Sequence, residues 1–432
     1  MGAANLGSTA RIDSAQRQAW ADRYACVRAQ TLALTAGLTA EDQQVQSMPD
    51  VSPTKWHLAH MAWFFETFLL IPRLSGYQPF DPQFGYLFNS YYEAVGERWP
   101  RPERGLLSRP SSDRILAYRA HVDASMADLI ASAADDDWTE IEPVLELGLH
   151  HEQQHQELIL MDIKHVFSLN PLAPAYLASE AWAKEAAPAA LLDWIAFDGG
   201  LVRTGHDGAG FAFDNESPRH KTWLDPFVLA DRLSTCGEYL AFIQDGGYAR
   251  PEPWLSDGWA AVQREGWQAP LYWREQDGER LIFTLHGLRP LDPAEPVSHL
   301  SFYEADAFAR WSGRRLPTEG EWEIAAVAAI AAQPLELASG AFHPRPPLPI
   351  SGLRQMAGEL WQWTASPYAP YPRYRPPEGP IGEYNGKFMS SQMVLRGGAA
   401  VTPPGHTRPT YRNFFPPHAR WAFSGVRLAD DA

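Results

Sequence analysis

The sequence predicts an α+β protein of two domains: a four-helix bundle over 12–175 and an irregular β-rich domain over 193–432, joined by a linker at 176–192. Three observations predict it. Runs with apolar residues at helical spacing fill the first 170 residues and then stop. From Trp194 onward, short apolar runs alternate with Gly, Pro, Asn and Asp, the texture of short strands and turns. Between the two, Asn170-Pro171 closes the last helix and a Pro- and Ala-rich stretch follows. With 432 residues the chain has ample core for two or three domains.

The four helices are expected at 15–38, 54–72, 112–133 and 139–169, each periodic enough to pack in a bundle. Ser52-Pro53 reads as the N-cap and first-turn pair of the second. Between the second and third runs, 77–110 is a non-helical excursion rich in Pro, Gly and aromatics and contains Phe88-Asn89-Ser90-Tyr91-Tyr92. A loop of this length in a compact domain is usually functional. In the second half, helices are expected over Cys236–Gln244, over 303–312, and from near 319 to 332. The Trp-rich, charged stretch 251–286 reads as a surface insertion. No repeat of fixed period occurs, and only the first ten residues read as disordered.

A formal charge of −16 argues against nucleic acid or an anionic membrane as partner. Two cysteines, Cys26 and Cys236, preclude a disulfide framework or a cysteine-based zinc site and fit a reducing cytoplasm. The N-terminus lacks a basic start followed by an apolar run, so no secretion signal is expected. Nor is there an apolar stretch of the ~18 residues that a membrane span needs.

The chemistry is expected within the fourth helix, at His151-Glu152-Gln153-Gln154-His155. At ~100° per residue, His151 and His155 share one helix face, so a single divalent metal can take both. Gln154 falls on nearly the same side, whereas Glu152 points elsewhere. A third ligand is expected from Trp56-His57-Leu58-Ala59-His60, with either His57 or His60 facing the pair. A lone histidine on an apolar helix is more often a satisfied core residue. Three or four on two apolar helices make a metal site the better reading. The same five residues also satisfy H-E-x-x-H, which would make Glu152 the general base of a zinc hydrolase. That reading lacks a downstream third ligand and leaves the Trp-His-Leu-Ala-His helix unexplained. A ligand-binding module with a vestigial metal site is the alternative outside catalysis.

The second half carries, in order, Gly199-Gly200, Asn215-Glu216-Ser217-Pro218-Arg219-His220, Pro296-Val297-Ser298-His299, Arg315-Leu316-Pro317-Thr318-Glu319-Gly320-Glu321-Trp322-Glu323, Gly358-Glu359-Leu360-Trp361-Gln362-Trp363, Leu395-Arg396-Gly397-Gly398 and Gly425-Val426-Arg427-Leu428. These motifs resemble the formylglycine-generating-enzyme domain, which has a C-type-lectin-like fold. The first half resembles the DinB-like four-helix metal-binding bundle. Together the two resemble the sulfoxide synthases of ergothioneine biosynthesis and their selenoneine synthase branch, most clearly at 52–60, 88–96, 104–110, 150–158, 384–389 and 411–421.

The resemblance implies a non-haem iron enzyme that uses Fe(2+) and O2 to join the sulfur or selenium of a donor to imidazole C2 of hercynine (trimethylhistidine). It implies His60, His151 and His155 as the iron ligands, with His57 structural and Gln154 in contact with hercynine. Tyr92 or Tyr91 matches the position of a catalytic tyrosine, with Tyr384 a weaker candidate. A phenol can give up a proton or hydrogen atom without carrying charge beforehand. The trimethylammonium of hercynine cannot donate a hydrogen bond and calls for aromatic faces or a carboxylate. Phe414 and Phe415 are expected as those walls, and Asn413 with Gln154 as donors to its carboxylate, at a seam between the domains. Formylglycine formation is excluded, because that chemistry resembles a cysteine-dependent copper site and no cysteine lies beyond Cys236.

Several positions depart from the ergothioneine-type pattern. Ser390-Ser391 and Ala399-Ala400 stand where relatives usually show Cys-Asn and Ser-Cys, and Cys236 stands for an asparagine. Phe415 occupies the place of an acidic residue that binds the amino group of γ-glutamylcysteine. These changes remove polar contacts that an amino-acid donor can use, and leave a selenosugar or cysteine as donor.

Overall fold

The structure, a computed structural model, describes residues 12–177, 191–332 and 340–432. The disorder expected over 1–10 and most of the expected linker lie outside the described residues. The chain divides into two compact units, Met1–Asp162 and Ile163–Ala432.

The first unit is built from α1(Ser14–Thr35), α2(Thr54–Phe65), α3(Ile71–Arg73), α4(Phe84–Phe88), α5(Ser112–Ser132) and most of α6(Asp135–Ser168). A capping box between Asp13 and Gln16 starts α1, and the Ser111 hydroxyl caps α5. Every residue of α2 is buried, the polar Thr54, Lys55, His57 and His60 included. The helix expected over 54–72 is continuous through a π-helical turn, Glu66–Leu70, that links α2 to α3. Within that turn the buried Glu66 accepts the hydroxyls of Tyr77 and Tyr118, both at 2.6 Å.

Two expectations need correction here. Ser52 is not the cap of α2: Pro53 occupies the N-cap position, and Ser52 Oγ accepts instead from Arg104 at 2.9 Å. The 77–110 excursion is not wholly irregular, because it contains α4 and a 3-10 turn over Arg101–Leu106. The close approach of α2 to α6 depends on Gly148, where a Cβ would come within 2.5 Å of the Phe65 ring. A glycine inside a helix costs about 0.5–1 kcal/mol. Here it lets the backbone of α6 lie against Phe64 and Phe65 one turn before His151.

The second unit is strand-rich: β1(Trp194–Phe197), β2(Gly200–Thr204), β3(His220–Leu224), β4(Phe227–Ala230), α7(Cys236–Gln244), α8(Ser256–Glu265), β5(Trp273–Gln276), β6(Glu279–Thr284), β7(Gly287–Pro290), α9(Phe302–Trp311), α10(Glu319–Ala332), β8(Trp361–Pro367), β9(Met393–Arg396), β10(Asn413–Phe415), β11(Ser424–Gly425) and β12(Ala429–Asp431). The strands form a β1-β4-β12 sheet, a β10-β9-β8-β11 sheet, the β2-β3 hairpin and a β5-β6-β7 meander. Leu224, Phe227, Leu229, Trp322, Ala325, Ala326, Met356 and Ala429 make a core between strands and α10. Gly397 must be glycine: its φ is +107° and a Cβ would meet the Met356 carbonyl oxygen at 2.7 Å. The stretch 251–286 is no loose insertion, for it holds α8 and most of the meander and buries Trp254, Trp273 and Phe283. Among the described residues, no helix is long and apolar enough to cross a membrane.

Candidate metal centre

Helix spacing alone puts His151 and His155 on one face of α6, and the packing of α2 adds a third imidazole. One ligand nitrogen from each of His60, His151 and His155 lies within 4.8 Å of the others, and all three residues are buried. His60 is the upstream histidine that joins the cluster; His57 sits behind it. Burial lowers all three pKa values, with mutual repulsion adding for His60 and His155, and His151 falls to about 3. The rings are therefore neutral at physiological pH, which is the form that ligates metal.

The surroundings orient these rings. His60 Nδ1 bonds to the Phe88 carbonyl oxygen at 2.7 Å. Phe88 ends α4, where a carbonyl has no partner in its own helix. Its other nitrogen, Nε2, is buried with no hydrogen-bond partner among the described residues, the situation of a lone pair kept for a metal. The His60 ring is also stacked between Trp56 and Trp63, with centroids 4.7 and 5.4 Å away and interplanar angles of 14° and 17°. Arg104 lies over the far face of Trp56 at 3.3 Å. His155 Nδ1 meets His57 Nδ1 at 2.7 Å, and His57 Nε2 meets Asp162 Oδ2 at 3.0 Å. The donor set of three neutral imidazoles suits Fe(2+) or another borderline divalent ion.

Glu152 is turned away from the cluster. Its carboxylate takes Arg28 at 2.8 Å, Arg119 at 2.9 Å and the Thr31 hydroxyl at 2.7 Å, all in the protein interior. Burial alone would raise its pKa, but Arg28 and Arg119 outweigh that and hold it at about 2. A carboxylate so placed is no general base, which removes the zinc-hydrolase reading. Replacing Glu152 by Ala takes the carboxylate from the buried Arg119 and leaves Arg28 with Asp123 alone, and should cost about 3–5 kcal/mol of stability, read by urea unfolding. The sign with pH follows from the depressed pKa. The contribution of the ionised carboxylate is complete above its unfolded value of about 4.3 and is lost as pH falls towards about 2.

Other sequence-predicted residues are placed as follows. Tyr92 is fully buried, its ring 5.6 Å from Trp63 and 5.1 Å from Phe68, and Tyr91, half-buried, stacks on it at 4.7 Å. Asn89 pins this turn by accepting from Tyr92 N and donating to the carbonyls of Tyr92 and Gly96. Gln154 is half-buried on α6. In the second unit, Asn413, Phe414 and Phe415 make up β10, paired with β9. Phe414 stacks on Tyr368 at 4.0 Å, and Phe415 meets Trp421 edge-on at 5.9 Å.

Comparison with known proteins bears on both halves. Residues 180–336 and 338–432 match the Sulfatase-modifying factor enzyme 1-like domain, and residues 23–159 match the DinB superfamily. Over 446 residues the chain is 33% identical to "Hercynine oxygenase" of Mycolicibacterium smegmatis, covering 96% of this chain and 99% of that protein. The chain belongs to the hercynine oxygenase family. The hercynine oxygenase of Mycobacterium tuberculosis is 32% identical over 441 residues, covering 95% of this chain and 99% of that protein. "Ergothioneine biosynthesis protein 1" of Schizosaccharomyces pombe is 29% identical over 229 residues, which cover 50% of this chain and 27% of that protein.

As a member of the hercynine oxygenase family, the chain is an oxidoreductase of the ergothioneine type, with a DinB-like bundle and a formylglycine-generating-enzyme-like domain. Cys236, which replaces an asparagine in the resemblance, is buried at the first position of α7, its thiol 3.7 Å from the Pro296 carbonyl oxygen. Burial pushes that thiol well above its ordinary range, so Cys236 is a packed helix-start residue. Ser390 and Ser391 are exposed, and Ala399 is fully buried.

Proposed function

We propose that the chain is a non-haem iron(II), O2-dependent enzyme that joins a sulfur or selenium donor to imidazole C2 of hercynine. The observation that carries this reading is the cluster of three buried, neutral imidazoles, His60, His151 and His155, in a chain alike over its whole length to hercynine oxygenases. The two together are what neither a packed core histidine nor a vestigial site would need. When bound, iron(II) with three imidazole ligands leaves positions open for substrate and O2 and supplies the redox chemistry.

The rest falls to the protein. Phe88, Trp56 and Trp63 fix the His60 ring, and all three imidazoles of the cluster are buried. Gln154, on nearly the same side of α6 as the ligands, offers an amide to a polar group of hercynine. Tyr92 brings a phenolic proton among the rings of Trp63, Phe68 and Tyr91, where it serves as the proton or hydrogen-atom donor. In this proposal Asn413, Phe414 and Phe415 are substrate contacts. Phe415 puts an apolar ring where a carboxylate would pair an amino group, so the donor is a selenosugar or cysteine rather than γ-glutamylcysteine.

The test is direct. Iron-loaded protein, hercynine and O2 are incubated separately with selenoglucose, cysteine and γ-glutamylcysteine, and products are identified by mass. Coupled product is expected with the first or second donor, and O2 uptake with it. Absence of coupled product with every donor would overturn the proposal, and efficient use of γ-glutamylcysteine would overturn the role given to Phe415.

A further inference from the structure

We infer that His57 and Asp162 form a relay that sets the orientation and donor strength of His155 towards a metal, making them positioning residues of the centre. This rests on reading the three-histidine cluster as a metal site.

With His57 neutral, the geometry allows one proton pattern. Asp162 Oδ2 accepts from the Ser52 backbone N–H at 2.8 Å and faces His57 Nε2 at 3.0 Å. A carboxylate only accepts, so His57 Nε2 carries the hydrogen. A neutral His57 then has a bare Nδ1, and the atom 2.7 Å from it, His155 Nδ1, must donate. That leaves Nε2 of His155 as the lone-pair atom. The relay therefore selects the tautomer in which His155 can ligate through Nε2.

All three side chains are buried, so the Asp162 charge acts through little screening. It polarises His57, which in turn draws on the Nδ1–H of His155 and makes that imidazole a stronger donor. The two ligand-bearing helices share the arrangement: α2 carries His57 three residues before His60, and α6 carries Asp162 seven residues after His155. A merely packed polar pair would contribute to folding and leave the properties of the metal unchanged.

Asp162→Asn keeps shape and an acceptor for both Ser52 and His57 while removing the charge. His57→Gln cuts the relay in its middle and serves should the first variant fail to fold. Full-length proteins prepared without oxygen are titrated with Fe(II), and the Fe(III)/Fe(II) midpoint potential is measured alongside the unfolding of the metal-free forms. Each variant should bind Fe(II) 10–100-fold more weakly and show a more positive potential. Asp162→Glu, which retains the charge, should recover most of both. Unchanged affinity and potential in variants of a protein that loads normally would overturn the relay alone, whatever happens to unfolding. Failure of the unmodified protein to take up Fe(II) would instead bring down the metal-centre reading, and the relay with it.

Discussion

Alanine in place of His60, His151 or His155 should give a folded protein that takes up no iron and turns over no substrate. Two imidazoles cannot hold a labile divalent ion as three can, and among the described residues no further group completes the set. His60 is the most informative of the three because it comes from a different helix. Its removal also strands the Phe88 carbonyl, at about 1–3 kcal/mol, and opens a gap between two indoles. Metal analysis of protein reconstituted without oxygen, with circular dichroism as the control for folding, checks the expectation. A His60→Ala protein with full stoichiometric iron would sink the assignment.

Tyr92→Phe should slow coupling to hercynine by ~10²–10⁴, the usual cost of removing a general acid. The ring survives the change, so its packing on Trp63, Phe68 and Tyr91 stays intact and folding should be untouched. Oxidation of the thiol or selenol donor by O2 should continue, which makes the ratio of coupled to uncoupled product the useful measurement. The sequence left Tyr91 and Tyr92 unordered. Burial ranks them, since Tyr92 lies wholly inside and touches Trp63, itself stacked on His60, whereas Tyr91 is partly exposed. Tyr91→Phe should therefore have the smaller effect, and no change in the ratio from either variant would make the pair simple packing.

The bundle was legible because long apolar periods leave little choice of structure. The helices α1, α5 and α6 begin within a few residues of the positions expected for them. The convergence of His151 and His155 was equally legible, since it needs only the pitch of one helix. What could not be read depended on contacts far apart in sequence. Glu152 looked like half of a zinc motif until Arg28 of α1 and Arg119 of α5 were found to claim it. Likewise the Phe88 carbonyl is a backbone group with no side-chain signature, and only the fold of 77–110 brings it to His60. Two signals for the surroundings of the cluster do stand in the sequence. Asp162 follows His155 by two turns on the same face, and Trp56-x-x-x-His60-x-x-Trp63 sets indoles before and after His60. In the second unit, the meander of β5–β7 was hidden because tryptophans and charges at 251–286 suggested a surface role, whereas the tryptophans are the part that is buried.

The placement of His60 between Trp56 and Trp63 has an optical consequence. An indole in stacking contact with a metal-bound imidazole loses its excited state to a nearby open-shell ion, so these two tryptophans should dim when iron arrives. They are two among seventeen in the chain, and the loss should be a modest fraction of total emission. It should also saturate at one equivalent. Zinc, which has no unpaired electrons, should fill the same nitrogens and leave the emission largely intact. Tryptophan emission should thus distinguish iron from zinc at the three histidines, without substrate being added.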